Sequence, residues 1–92
     1  MARVAIQLPQ LLGAMCGDRL RFDIDAATVA DAFDRLRREH PQLALHLFDE
    51  SGALRRHVLC FVNEVNSRWL DALDEPLVDG AELMFMQAVT GG

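Results

Sequence analysis

The stretch Asp79-Gly80-Ala81-Glu82-Leu83-Met84-Phe85-Met86-Gln87-Ala88-Val89-Thr90-Gly91-Gly92 decides how the rest of the chain is read. Asp-Gly is a strong turn signal, because glycine supplies a positive φ at no steric cost. An apolar, β-prone run follows, so residues 82–89 read as a final strand. The chain then stops at two glycines, and residues 88–92 read as a flexible tail. Glycine is costly to order and brings no side chain to a core, so a folded body gains nothing from such an end. What the tail offers is thinness: a backbone without Cβ atoms passes down a channel closed to other residues. Six extended residues reach roughly 20 Å at about 3.3 Å each. The terminal carboxylate can thus enter a partner while the body stays outside. Two terminal glycines also arise by chance in about one sequence in 200. The remaining residues have to decide.

Working back from the tail, a period-two pattern recurs. Residues 3–8 put Val4, Ile6 and Leu8 on one face and Arg3, Ala5 and Gln7 on the other, as a half-buried strand does. Pro9 ends it, and residues 9–18 read as a loop. Leu20, Phe22 and Ile24 then face inward against Arg19, Arg21, Asp23 and Asp25, giving an antiparallel hairpin. Thr28 reads as a helix N-cap with Asp31 three residues on. Val29, Ala32, Phe33, Leu36 and His40 recur at helical spacing, and Pro41 reads as the stop. Leu43, Leu45, Leu47 and Phe48 form an apolar segment able to tuck beneath the sheet. Residues 49–52 read as a turn, 58–62 as a third strand turned by 63–66, and 67–78 as a short strand and a helical turn. One main helix covers one face of a small sheet, so the class is α+β. First and last strands can lie parallel at the centre with right-handed crossovers. This is the β-grasp layout, in a single domain of residues 1–92.

Composition narrows the function. Nine basic against 14 acidic residues leave a net charge of −5, which argues against nucleic acid, since its binders cluster positive charge. An acidic domain suits a partner with a basic docking surface. All the basic residues are arginine, so no side-chain amine can accept an isopeptide bond. Cys16 and Cys60 have no metal-ligand spacing and read as buried or idle thiols in a reducing cytoplasm, with a single disulfide as the alternative. No apolar run approaches the ~20 residues of a membrane span, and Gln7, Pro9 and Gln10 interrupt the one faintly signal-like stretch. His40, His46 and His57 fall on different elements, Ser51 and Ser67 lie in turns, and no glycine loop cradles phosphate. No catalytic or metal set is expected.

Val62-Asn63 closing the third strand, Asp79-Gly80 before the last and Val89-Thr90-Gly91-Gly92 at the terminus resemble the MoaD/ThiS family of ubiquitin-like sulfur carriers. The likeness spans essentially the whole chain. Asp-Gly and Val-Asn are common pairs, so their order and the terminal Gly-Gly carry the specificity. Length, and residues 47–49 and 54–58, are similar to the longer carriers such as the one serving cysteine biosynthesis. Ala81, Gln87-Ala88 and Thr90 depart from the usual acidic residue, proline and alanine, which bears on the pathway and not on the chemistry. A free carboxylate, of pKa about 3.3–3.7, is ionised at neutral pH and a poor electrophile. The resemblance implies an E1-like enzyme that adenylates it with ATP and magnesium. A persulfide or sulfide then displaces AMP and leaves a thiocarboxylate for a sulfur-accepting synthase in cofactor or cysteine biosynthesis. Gly92 is then the modified residue, Gly91 and Thr90 thread the tail, and the chain itself binds no cofactor.

Docking supplies a second set of residues. If Val58, Cys60 and Val62 point into the core, Leu59 and Phe61 face the other way, and Leu83 and Phe85 inward put Met84 and Met86 outward. These four form an exposed apolar patch beside the tail, of the kind that marks an interaction site, unless residues 42–48 or 67–78 fold over that face. Two other functions fit the tail: a ubiquitin-like modifier joined to target amines through Gly92, and a β-grasp interaction module whose glycines are incidental.

Overall fold

The computed structural model describes residues 1–13, 17, 19–70 and 73–87. Strand β1 (Ala2–Gln7) buries Val4 and Ile6 completely and pairs antiparallel with β2 (Arg21–Ala26), where Val4 faces Ile24 and Ile6 faces Phe22. The connection between them is not all loop. A short helical turn, α1 (Gln10–Gly13), starts after Pro9 and buries Leu12. Leu20, expected inward, is instead 46% exposed. It precedes the paired residues of β2 and holds the hairpin through its carbonyl, which accepts from Leu8 N at 2.9 Å.

Helix α2 (Val29–Glu39) buries Val29, Ala32, Phe33 and Leu36. Thr28 Oγ1 accepts from Asp31 N at 3.0 Å, and Asp31 Oδ2 accepts from Ala27 N at 2.9 Å. Two backbone donors that the helix cannot satisfy are thereby satisfied. Pro41 ends α2 but also begins a second helix, α3 (Pro41–Leu47). Proline suits this first position because its missing N–H would be unpaired there anyway. Leu43, Ala44 and Leu47 enter the core, while Leu45, expected to tuck in, points outward and is 69% exposed. Phe48 follows and meets Phe33 ring to ring at 5.1 Å.

Strands β3 (Val58–Val62), β4 (Val65–Asn66) and β5 (Ala81–Gln87) complete a five-stranded sheet of order β2-β1-β5-β3-β4. β1 and β5 are parallel and central; the other neighbours are antiparallel. Phe85, Ile6, Leu36, Leu43, Leu47 and Leu83 are the largest side chains sealed between sheet and helices. The mixed sheet with its main helix on one face is a ubiquitin-like β-grasp, as the sequence suggests.

Candidate functional site: the end of the central strand and the uncovered sheet face

Two short motifs fix where β5 begins. Before it, Ala81 N donates to Val78 O at 3.0 Å across a turn in which Gly80 has φ +90°, as a type II turn demands. That turn is stapled to β1: Arg3 N donates to Asp79 Oδ1 at 2.8 Å and Gly80 N to Arg3 O at 3.0 Å. On the other flank, Asn63 and Glu64 both have positive φ, 48° and 74°, as the two-residue turn between β3 and β4 requires. The left-handed backbone turns Asn63 toward β5. Its Oδ1 accepts from Glu82 N at 2.9 Å, and its own N–H donates to Glu82 O at 2.9 Å. β5 is therefore held from both sides, and its register with β1 and β3 is set before its apolar residues are reached.

From there β5 runs through mid-sheet to Gln87, opposite Val58. Val58, Cys60, Val62, Leu83 and Phe85 face the core, each 8% exposed or less. Leu59 is paired with Met86, and Phe61 with Met84, on the reverse face. Met86 is 44% exposed and the other three are half-buried. The expected patch is thus brought together by cross-strand pairing. Among the described residues, neither segment that could have covered it does so. α3 packs on the helix side, and beyond the 3-10 turn Ser67–Trp69 the chain is tied to the helix-side layer. There Ala30 N donates to Leu73 O at 2.8 Å and Leu77 N to Ala27 O at 2.9 Å, with Leu70 and Leu77 against the core.

The other half of this face is polar. Arg3 lies 3.6 Å from Asp23 and 3.3 Å from Asp25, and Arg21 lies 3.3 Å from Glu82. These exposed pairs contribute little stability, but they confine the apolar surface to β3 and β5. Sequence reading did not find the wall beside it. An open depression of ≈ 490 Å³ is lined by Gln7, Pro9, Met84, Met86 and Gln87, among others. Pro9 gave only a strand-end signal; its place beside Gln87 follows from β1 and β5 being parallel.

The sequence-predicted tail residues Thr90, Gly91 and Gly92 lie outside the described residues. So does Cys16. Cys60 is buried and free, and burial pushes its thiol up to about 12, so it is neither nucleophile nor ligand at neutral pH. Among the described residues no group of three His, Cys, Asp or Glu side chains could hold a metal ion, and no helix is long and apolar enough to cross a membrane.

The fold is thus a β-grasp body with a central last strand and an apolar patch on the sheet face away from the helices. Comparison with known proteins names the group: residues 7–92 match the ThiS family model, and the chain belongs to that family. It is 36% identical over 83 residues to small archaeal modifier protein 1 of Haloferax volcanii, covering 88% of this chain and 91% of that protein. A chain of the Amycolatopsis orientalis BexX/CysO complex superposes with a TM-score of 0.81 at 27% identity, covering 97% of this chain and 99% of its own. Small archaeal modifier protein 1 of Methanosarcina acetivorans has the same fold at a TM-score of 0.83 and 24% identity, covering 100% of this chain and 98% of its own. Proteins of this group are small ubiquitin-like carriers and modifiers, not enzymes, and so is this chain.

Proposed function

We propose that this protein carries sulfur as a thiocarboxylate on Gly92. An E1-like enzyme joins the terminal carboxylate to the α-phosphate of ATP, with magnesium, and releases pyrophosphate. A sulfide donor then attacks the acyl carbon and expels AMP, so that one carboxylate oxygen is replaced by sulfur. A persulfide donor instead leaves an acyl disulfide, which a second thiol of the donor cleaves to the thiocarboxylate, becoming a disulfide itself. The thiocarboxylate next meets a synthase that accepts the sulfur in cofactor or cysteine biosynthesis. ATP and reduced sulfur place this cycle in the cytoplasm. The chain contributes no acid, base or metal; it contributes a carboxylate on a thin stalk and a surface by which the activating enzyme grips the body.

The observation that carries this reading is the course of β5, which leaves mid-sheet at Gln87 directly beside Leu59, Phe61, Met84 and Met86. A partner that covers the patch is in position to receive the tail. Five residues beyond Gln87 reach about 16 Å when extended, enough to bring Gly92 to a recessed nucleotide. That a chain of this fold occurs in a complex with BexX supports docking on another protein. Incubation with the adenylating enzyme of the same organism, ATP and a sulfur donor is expected to add the mass difference between sulfur and oxygen, mapped to Gly92. Absence of that gain would overturn the carrier reading.

A second reading is favoured by the 36% identity to a protein named as a modifier. In that case the activated Gly92 is passed to amines of target proteins. Gly92-linked adducts on target lysines, and no sulfur gain, would select it. The chain could not extend such adducts through its own side chains, because it has no lysine.

A further inference from the structure

Charge is unevenly distributed along the strands. The register puts the end of β1, the start of β2, the start of β3 and the end of β5 at one pole of the sheet. Arg55, Arg56 and Arg68 gather there. The Arg68 guanidinium donates to the carbonyls of Arg55 at 3.3 Å, Arg56 at 3.5 Å and Val58 at 3.0 Å, and Val58 is the residue opposite Gln87. Carbonyls satisfy the donors and leave the positive charge in place. Arg55 donates to Leu45 O at 2.8 Å and has Asp49 nearby, whereas Arg56 is exposed. Four of the other six arginines meet carboxylates: Arg3 with Asp23 and Asp25, Arg21 with Glu82, Arg35 with Asp31 and Glu39, Arg38 with Asp34. Arg37 instead donates to Gly52 O and lies over the Phe48 ring. Among the described residues, none of Arg55, Arg56 and Arg68 has a carboxylate within ion-pair distance.

The opposite pole is acidic. Glu64 follows the end of β3, Asp79 precedes β5, and Asp74 and Glu75 lead into Pro76, which bridges to Thr28 at the start of α2. All four carboxylates are on exposed residues. The molecule measures 34 × 30 × 24 Å, while the Debye length at physiological salt is about 8 Å. A partner closing over one pole is therefore screened from the other, and the local arginines outweigh the net charge of −5.

We infer that Arg55, Arg56 and Arg68 form a cationic collar around the exit of β5, and that it docks against an acidic rim on the protein partner that admits the tail. This rests on the reading that the tail enters such a partner. It reverses the expectation, drawn from net charge, of a basic docking surface. The collar turns the molecule tail-first during approach, since complementary charge acts chiefly on encounter and orientation.

Rapid-mixing association of the full chain with the adenylating enzyme of the same organism tests it. Arg56→Glu is the informative change, as the side chain is exposed and the fold does not depend on it. It is expected to lower the association rate about 3–10-fold at about 50 mM salt, with the difference closing at about 500 mM. Asp74→Arg, at the far pole, is expected to leave the rate within about twofold of wild type. If net charge governed instead, Arg56→Glu would speed association and Asp74→Arg would slow it, and the collar would be wrong. Equal rates for wild type and Arg56→Glu would also remove it, while a wild-type chain adenylated at Gly92 leaves the function standing. A wild-type chain that the enzyme does not adenylate overturns both.

Discussion

Asn63 does two things at once: it turns the chain out of β3 with a φ of 48°, and its side chain takes the Glu82 N–H at 2.9 Å. Asn63→Ala removes both. We expect a loss of about 1 kcal/mol for the hydrogen bond and about 1–2 kcal/mol for the left-handed backbone. Asn63→Gly is expected to recover the backbone part alone, so urea midpoints should rank wild type, glycine, alanine. Cys60 gives a prediction in pH. Burial raises its thiol from 9.0 to about 12, so on alkalinisation the unfolded chain loses this proton before the folded one. The contribution is intact below pH 9 and is lost as pH rises from there toward 12. The slope is up to ~1.4 kcal/mol per pH unit. Denaturation of wild type against Cys60→Val should show stability diverging in that window, with wild type falling faster.

Among the elements, α2 was legible in the sequence because cap, periodicity and stop agree. The exception is His40, expected to continue its apolar face: it is the residue that caps the helix end, with its ring 4.6 Å from that of Phe22. Thr28→Ala is expected to cost about 1 kcal/mol, read as a lowered thermal midpoint, since Asp31 N then loses its acceptor. α3 was not legible, because Pro41 serves as a terminator for one helix and the opening residue of the next, and a single proline gives the same signal for both. The apolar positions that settle it, Leu43, Ala44 and Leu47, share one face, with Leu45 out of line. Elements of two to four residues escape periodicity altogether, which is why β4 and α1 were read as turn and loop. Glu64 gave no hint of its positive φ; Asn63 beside it did.

At the level of the whole molecule, one helix layer on one sheet face was enough to predict which sheet face turns apolar side chains away from the core. Alternation then named Leu59, Phe61, Met84 and Met86, and the β3–β5 register pairs them as that argument requires. Phe61→Asp is expected to reduce adenylation by tenfold or more, about 1.4 kcal/mol or greater in partner binding. Circular dichroism should be unchanged, since the side chain is only half-buried on the face away from the core. The arginine collar was beyond sequence reading for a plain reason. Arg55, Arg56 and Arg68 come to the same end of the sheet as Gln87 only through the β3–β5 pairing, and a net charge averages over both ends of the sheet.

The parallel pairing of β1 with β5 has a practical consequence. Residue 1 emerges at the end of the sheet opposite Gln87, with Val4 level with Ala81. A fluorescent reporter or an immobilisation handle spliced ahead of residue 1 would hang behind the body, clear of the pole where β5 leaves the sheet. On the proposed function, the same insert after Gly92 would block the carboxylate that the activating enzyme has to reach.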